Sequence, residues 1–155
     1  MISSPKHHLA QVNIALMREP LDRPLMAEFV ASLDEINALA DRSPGFVWRL
    51  QTEQGNATDL QPYGDERILF NLSVWESLEQ LKAYVYESAH GKIMKKRRKW
   101  FKKLDRMYFT LWWVEACHIP SVIEAKQRLD YLNEKGFSSF AFDFKHSFPS
   151  PDSSS

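Results

Sequence analysis

Apolar and polar residues alternate one by one near the start of the chain. Along residues 9–17, one side carries Ala10, Val12, Ile14 and Leu16, and the other carries Gln11, Asn13 and Ala15. A repeat of two residues is that of a β-strand. The same kind of pattern predicts five strands, over residues 9–17, 46–51, 67–75, 108–117 and 140–148.

Apolar residues at helical spacing lie between these strands. They predict helices over residues 26–40, 76–86, about 90–104 and about 120–133. The resulting order, β-α-β-β-α-β with an added helix and strand, is that of the ferredoxin-like split βαβ arrangement. We therefore expect an α+β protein with an antiparallel sheet, helices on one face, and an extra C-terminal helix and strand.

The sheet face away from the helices is predicted to be half polar. It carries Asn13, Asn71, Ser73 and Trp75. Such a face has to be covered by something, because a sheet needs a packed layer on its apolar residues. Pairing two sheets face to face across a dimer would cover it and leave a cavity between them.

Composition places the chain among globular proteins. Its 155 residues are 44% hydrophobic, which fits one domain at residues 8–149. The Pro- and Ser-rich residues 150–155 are expected to be a disordered tail. Cys117 is the one cysteine in the sequence, and the first residues lack an apolar leader. No apolar stretch is long enough to cross a bilayer, so we expect a cytoplasmic protein with no membrane partner.

A basic run occupies the region between Lys92 and Arg106, where nine residues are Lys or Arg and only Asp105 is acidic. As a helix, this run places Trp100 and Phe101 on an apolar side and most of its cations outside it. The whole chain has 20 basic and 20 acidic residues, without the basic excess typical of nucleic-acid binders. We therefore interpret the run as the solvent-exposed side of a helix whose other side packs in the core, and expect no nucleic-acid partner.

His90 and Arg97 interrupt the apolar side of that helix, one heptad apart. An inward His can act as a base, an acid or a metal ligand, and an inward Arg can bind a carboxylate or an oxyanion. The alternative is structural, with Arg97 reaching solvent or pairing with Glu115, and His90 capping a break at Gly91.

Other polar and aromatic residues leave two interpretations open. Asn13 needs a partner if buried, which could be a ligand or Asn71. Trp75 could stack on a flat substrate, although such a Trp is more often core. Trp112 and Trp113 alternate, so they face opposite sides of their strand. The sequence has no zinc-ligand spacing, P-loop or dinucleotide fingerprint, so we predict no metal site and no nucleotide cofactor.

Five stretches, taken together, resemble the dimeric α/β-barrel superfamily. They are "QVNIALM", "GFVWRL", "NLSVWESLEQLKAYVYESAH", "YFTLWWV" and "FAFDFKHSFPSP". That superfamily includes the antibiotic-biosynthesis monooxygenases and the haem-degrading monooxygenases. Within it, the chain most resembles a bacterial domain family of unknown function. The resemblance covers roughly residues 8–149.

The resemblance implies a homodimer with a pocket between sheet and helices in each protomer. It also implies a monooxygenase-like protein that needs no cofactor and acts on a small, flat, electron-rich molecule. His90 would then be the base, with Arg97 or Asn13 holding the anion. The remaining side chains would bind the substrate, namely Asn71, Ser73, Trp75, Tyr84 and Trp112.

Two alternatives use the same pocket. The first is a non-catalytic protein that binds a small molecule. The second is a haem-binding or haem-degrading protein, since the haem degraders use an Asn on the first strand, a Trp on the helix after the third strand and a later His. Asn13 and His90 match the first and last of these, while the helix offers Tyr84 in place of the Trp.

Overall fold

The structure is a computed structural model that describes residues 6–19, 22–50, 68–87 and 97–153, except for the side chains of Glu87, Arg97 and Arg98. Its elements follow the chain in this order: β1 (His7–Met17), a 3-10 turn (Pro24–Met26), α1 (Ala27–Asp41), β2 (Phe46–Arg49), β3 (Ile68–Trp75), α2 (Leu78–Glu87), α3 (Arg97–Trp100), β4 (Phe101–Lys102), β5 (Phe109–Glu115), α4 (Val122–Lys135) and a 3-10 turn (Pro151–Ser153).

The sheet is built around β1, which pairs antiparallel with β3 on one side and with β5 and β4 on the other. β2 extends the sheet beyond β3. The order β2-β3-β1-β5 is that of the ferredoxin-like arrangement, which confirms the predicted α+β fold class. Because the side-chain repeat of a strand is two residues, this register decides which side chains share a face.

One face of the sheet is mostly apolar and is covered by α4, with Thr110 as a buried polar residue opposite Val12. Its strand residues and two α4 residues form one buried cluster: Ala10, Val12, Ile14, Phe70, Leu72, Val74, Trp112, Val114, Ala125 and Leu129. Ser121 caps α4, because its Oγ accepts a hydrogen bond from the backbone N–H of Glu124 at 3.0 Å. The predicted extra C-terminal helix is therefore present, and it serves as the second layer for this face.

The opposite face packs against α1, α2 and the C-terminal segment. Leu9, Trp75 and Leu111 lie in a cluster with Ala40 of α1, Leu81 of α2 and Phe142. This is also the face of Asn13, Asn71 and Ser73, since these residues share the strand parity of Leu9 and Trp75. The prediction that this face lies away from the helices is therefore wrong, because α1 and α2 pack on its Leu9–Trp75 end. Asn71 at the other end is exposed, so covering of that end by a second copy stays a prediction.

The predicted helix at about residues 90–104 ends earlier than expected. Residues 90–96 lie outside the described part of the chain, and α3 ends at Trp100. There the backbone extends, the Trp100 carbonyl accepts a hydrogen bond from the Arg18 N–H at 2.7 Å, and Phe101 pairs with Met17. Trp100 is nonetheless 1% exposed and Lys99 is exposed, as the amphipathic interpretation requires.

The C-terminal region also differs from the prediction. The strand expected at residues 140–148 is reduced to a bridge between Phe142 and Leu111, because Asp143 Oδ1 accepts the His146 N–H at 2.8 Å and turns the chain. Pro151–Ser153 form a 3-10 turn, and the expectation of a disordered tail at residues 150–155 stays a prediction. In this turn, Asp152 Oδ2 accepts the backbone N–H groups of Lys6 and His7 at 2.9 and 2.8 Å.

Candidate functional site

A cluster of amides and one hydroxyl lies on the α1–α2 face of β1 and β3, and Gln11 is its centre. Gln11 Nε2 donates to Asn71 Oδ1 and to Ser73 Oγ, both at 2.7 Å. Gln11 Oε1 accepts from Asn13 Nδ2 at 3.0 Å. Gln11 is 4% exposed and Ser73 is 7% exposed, so these groups satisfy one another inside the core. We call these four residues the amide cluster.

The amide cluster reaches the surface through its two asparagines. Asn13 and Asn71 lie directly opposite each other across β1 and β3, and Asn13 Nδ2 also approaches Asn71 Oδ1 at 3.4 Å. Asn13 is half-buried and Asn71 is exposed. The sequence predicted both residues for the site and left open whether they bind each other or a ligand. The geometry permits both, since each amide has a second polar end.

Trp75 contacts the amide cluster from the interior of the protein and does not face solvent. Its Nε1–H donates to Ser73 Oγ at 2.9 Å, and the residue is 1% exposed. Its ring lies 5.0 Å from that of Tyr84 and 5.5 Å from that of Phe46. Trp75 is therefore core, the more common of its two interpretations, and it orients Ser73.

Tyr84 closes this aromatic stack from α2. Its hydroxyl donates to the carbonyl of Ile36 in α1 at 3.3 Å, which ties the two helices together. Burial raises the pKa of Tyr84 to about 12. The positive charge of Arg49 lowers this pKa, and the negative charge of Asp41 raises it. At neutral pH the side chain is therefore a neutral phenol.

Trp112 is not part of this group of residues. It lies opposite Ala10 in the sheet, so it points to the α4 face, where it is fully buried. Its Nε1–H donates to Glu124 Oε2 at 2.9 Å. The alternation of Trp112 and Trp113 was visible in the sequence, but which of them faced the site depended on the register with β1.

The two predicted charged residues are not placed by the structure. His90 lies outside the described residues. Arg97 begins α3, and its side chain lies outside the description. The roles assigned to them as base and anion partner therefore stay predictions.

Three residues near the site were missed at first. Gln11 shares the parity of Asn13, and this signal was present in the alternation of β1. Phe109 lies directly opposite Asn13 on β5, and its ring stacks on Phe144 at 5.3 Å. Phe144 comes from the C-terminal segment, so no local pattern links it to the site. These rings place an aromatic wall beside the amide cluster.

A groove of about 460 Å³ lies elsewhere, between the end of β5 and the start of α4. Among its polar side chains, His118 Nε2 lies 2.6 Å from Glu124 Oε1, and the Arg128 guanidinium lies over the Phe140 ring at 3.8 Å. None of the predicted site residues that the structure describes lines this groove. We therefore place the candidate site at the amide cluster, which contains three of them.

Neither a metal cluster nor a membrane span is found in the described residues. Within them, no three His, Cys, Asp or Glu side chains converge in a way that could hold a metal ion. No helix in the described ranges has the length and apolar character needed to traverse a bilayer.

Several solved structures are similar to this chain. SnoaB, a cofactor-independent oxygenase from Streptomyces nogalater, has 15% identity and a TM-score of 0.48, covering 72% of this chain and 95% of its own. NE2512, a protein of unknown function from Nitrosomonas europaea, has 12% identity and a TM-score of 0.46, covering 75% and 97%. A candidate antibiotic biosynthesis monooxygenase from Chloroflexus aurantiacus J-10-fl has 15% identity and a TM-score of 0.45, covering 74% and 98%.

Sequence comparison gives a family but no curated relative. A search of curated proteins finds no significant match. One family model, by contrast, matches residues 8–155, which is nearly the whole chain and includes the amide cluster, the aromatic wall and α4. This chain therefore belongs to the family described as Domain of unknown function (DUF3291).

Proposed function

We propose that this chain is a cofactor-independent, monooxygenase-like protein that binds a small, flat organic molecule at the amide cluster. The observation that carries the proposal is the cluster itself. Gln11 and Ser73 are buried, yet replacing buried hydrogen-bonding partners by apolar groups of similar shape costs little stability. A core that keeps this polar network, and lets it end at the exposed Asn71, is better explained by ligand binding than by folding.

The reaction class comes from the resemblance of the strand sequences to the α/β-barrel monooxygenases. An electron-rich substrate can reduce oxygen directly once it has lost a proton, so the protein has to supply a base, an anion partner and a dry pocket. We assign the base to His90 and the anion partner to Arg97 or Asn13. Asn71 would orient the substrate. Ser73, Trp75 and Tyr84 would support the substrate site from the interior of the protein.

Oxygen uptake tests this proposal. Chelator-treated protein is mixed with dihydroxynaphthalene or dihydroxyanthracene in an oxygen electrode. We expect uptake that falls at least tenfold in His90→Ala and in Asn71→Leu, because one loses the base and the other the orienting amide. His146→Ala removes an exposed His at Asp143 and is the matched control. Uptake that is equal in all variants, or absent although a probe binds, contradicts the enzymatic role.

A non-catalytic binding protein is the second candidate function. One observation favours it: the amide cluster consists of Gln, Asn and Ser side chains, none of which titrates near neutral pH. Binding at this site therefore needs no base, whereas turnover depends on His90. Probe binding that survives His90→Ala, without oxygen uptake by the native protein, would support this candidate.

Haem binding through His90 is the third and least favoured candidate function for the same pocket. It predicts a Soret band on titration with haemin that is lost in His90→Ala. A titration without such a band removes this alternative and leaves the other two in place.

The homodimer and the cytoplasmic location belong to the same proposal. Because α4 buries the apolar sheet face within a single chain, a dimer of this protein would have to use another surface. Native mass spectrometry tests the homodimer directly. The single cysteine is free and exposed, as suits a reducing compartment.

A further inference from the structure

We propose that Gln11 is a positioning residue that makes Asn13 and Asn71 present one hydrogen-bond donor and one acceptor, side by side, to the ligand. The site would then select a planar molecule whose edge carries a carbonyl next to an N–H or O–H group. This inference rests on the proposed function, since it specifies which ligands the amide cluster accepts.

The two ends of the Gln11 amide carry the argument. Its Nε2 holds Asn71 Oδ1 at 2.7 Å, so the acceptor end of Asn71 points inward and its Nδ2 donor end is left for the open side. Its Oε1 holds Asn13 Nδ2 at 3.0 Å, so the acceptor Oδ1 of Asn13 is left for a ligand. A primary amide has one acceptor end and one donor end, so fixing one end fixes what the other presents.

This complementarity does not depend on which way the three amides are turned. If all three are turned over, Gln11 Oε1 faces Asn71 and Gln11 Nε2 faces Asn13, so the two asparagines exchange roles. One of them still presents a donor and the other an acceptor. The property follows from Gln11 being a single amide between two others, and apolar or acidic residues at this position would not produce it.

The spacing of the two asparagines suits a single ligand edge. They are directly opposite residues of an antiparallel pair, and such side chains begin about 5 Å apart. Both amides bend toward Gln11, and Asn13 Nδ2 comes within 3.4 Å of Asn71 Oδ1. Neighbouring ring substituents of a lactam or hydroxy-ketone can therefore reach both asparagines at once. The Phe109 and Phe144 rings would flank such a planar molecule.

A matched pair of probes tests the inference on the full chain. Carbostyril, a planar bicyclic lactam, has a carbonyl beside an N–H, and N-methylcarbostyril has lost the N–H. Titration calorimetry should show the native protein binding carbostyril about tenfold more tightly than N-methylcarbostyril, because the methylated probe has no N–H to donate to the acceptor end of Asn13. In Gln11→Met the asparagines are free to turn, so this ratio should fall below about threefold.

The outcomes separate this inference from the proposed function. A ratio that stays near tenfold in Gln11→Met overturns the positioning role alone, provided that circular dichroism shows the variant to be folded. If the native protein binds neither probe, the proposed function and this inference fall together. Gln127→Met, on the exposed side of α4, is the matched control and should keep the native ratio.

A second variant and an NMR measurement cover the case in which Gln11→Met does not fold. Gln11→Glu offers two acceptor ends, so both asparagines turn their donors inward and neither presents a donor to the ligand. The carbonyl of either probe then has no partner, so both affinities should fall while carbostyril keeps its N–H contact. In the native protein, the Gln11 side-chain amide protons should exchange with solvent at least tenfold more slowly than those of Asn71, as expected from their burial. Equal exchange rates would contradict the fixed orientation of Gln11.

Discussion

The same strands form both faces of the sheet, but the two faces differ in polarity. On the α4 face, β3 and the part of β1 after His8 contribute only apolar side chains, and Val12, Ile14 and Leu72 are at most 1% exposed. On the α1–α2 face, the same strands place Leu9 and Trp75 at one end and amides at the other. The first face is what stability alone favours, because burial of apolar area is the main driving force of folding.

The second face shows where stability has not been the deciding factor. Buried amides gain little net free energy from their hydrogen bonds, and an unpaired one costs about 1–3 kcal/mol. The amide cluster avoids that cost only because Gln11, Ser73 and Asn71 are in register across two strands. Such an arrangement tolerates few single changes. The presence of such an arrangement beside a simpler apolar face is what the proposed binding role predicts.

The largest effect is expected on the apolar face. Phe70→Ala removes a ring that is 1% exposed from the cluster under α4. It should lower the free energy of unfolding by about 3–5 kcal/mol, through lost burial and the cavity left behind. Urea denaturation followed by circular dichroism measures this loss. Val30→Ala on α1, where Val30 is 40% exposed, is the control and should change stability by less than about 0.5 kcal/mol. A loss under about 1 kcal/mol for Phe70→Ala would show that α4 does not seal this face.

The next effect concerns alkaline pH and the aromatic stack on the other face. The pKa of Tyr84 is raised from 10.0 to about 12, so between these values the unfolded chain loses the proton and the folded chain keeps it. Unfolding is therefore favoured as pH rises, and about 2–3 kcal/mol should be lost by pH 12. Urea denaturation from pH 8 upward measures this loss.

Two tyrosine variants isolate this contribution. At neutral pH, Tyr84→Phe should lower the free energy of unfolding by about 1 kcal/mol, because the hydrogen bond to the Ile36 carbonyl is lost. Its unfolding free energy should then fall less on alkalinisation than that of the native protein. Tyr86→Phe changes a residue that is 63% exposed and should leave the alkaline response unchanged. If the unfolding free energy falls equally with pH in Tyr84→Phe and in the native protein, the Tyr84 hydroxyl is solvated and its pKa is not raised.

A smaller change in stability is expected when the amide face is made apolar. The triple variant Gln11→Met, Asn13→Leu, Asn71→Leu removes donors and acceptors together, so no buried group is left unpaired. Its unfolding free energy should stay within about 1 kcal/mol of the native value, while binding of carbostyril is lost. Denaturation and calorimetry on the same samples measure both. A loss of several kcal/mol would mean that the amide cluster is structural.

The sequence could predict each strand face but not the layer that covers it. Alternation along β1 separated Val12 from Asn13, and the fold class followed from the order of elements. Both faces contain enough apolar residues to bind a helix, so only the tertiary structure shows that α4 packs on the more apolar one. The same limit explains Trp112, whose parity relative to Asn13 depends on the pairing of β5 with β1.

The candidate site could be predicted only in part, for related reasons. Asn13 and Asn71 stood out as polar residues in apolar strands. Gln11 has the same parity, but its role depends on lying opposite Ser73 and beside Asn71, which is a matter of register. Phe101 was correctly expected to be shielded by its helical phase, yet it leaves the helix because the end of β1 offers unpaired backbone groups.

The smallest effect is expected where the C-terminal segment meets β1. The hydrogen bond from the His7 side chain is the largest of the effects that hold the pKa of Asp152 below its usual range. Desolvation opposes it, and the backbone N–H groups of His7 and Lys6 and the charge of His7 lower the pKa further. A depressed carboxyl pKa adds stability above its unfolded value, and this stability is lost as pH falls through the folded value. This segment also carries the Phe148 carbonyl, which accepts the Trp113 indole N–H at 2.9 Å.

Asp152→Ala should therefore loosen only the edge of the amide face. Hydrogen exchange read by NMR should be faster at the backbone amides of Lys6 and His7, and unchanged at Val12 in the middle of β1, because Asp152 contacts only the start of the strand. Asp22→Ala, at an exposed position before α1, is the control and should change neither. Acidification should reproduce the Asp152→Ala pattern in the native protein. If exchange at Val12 rises together with that at His7, the two faces unfold as one unit, and the contrast between them is one of composition and not of local stability.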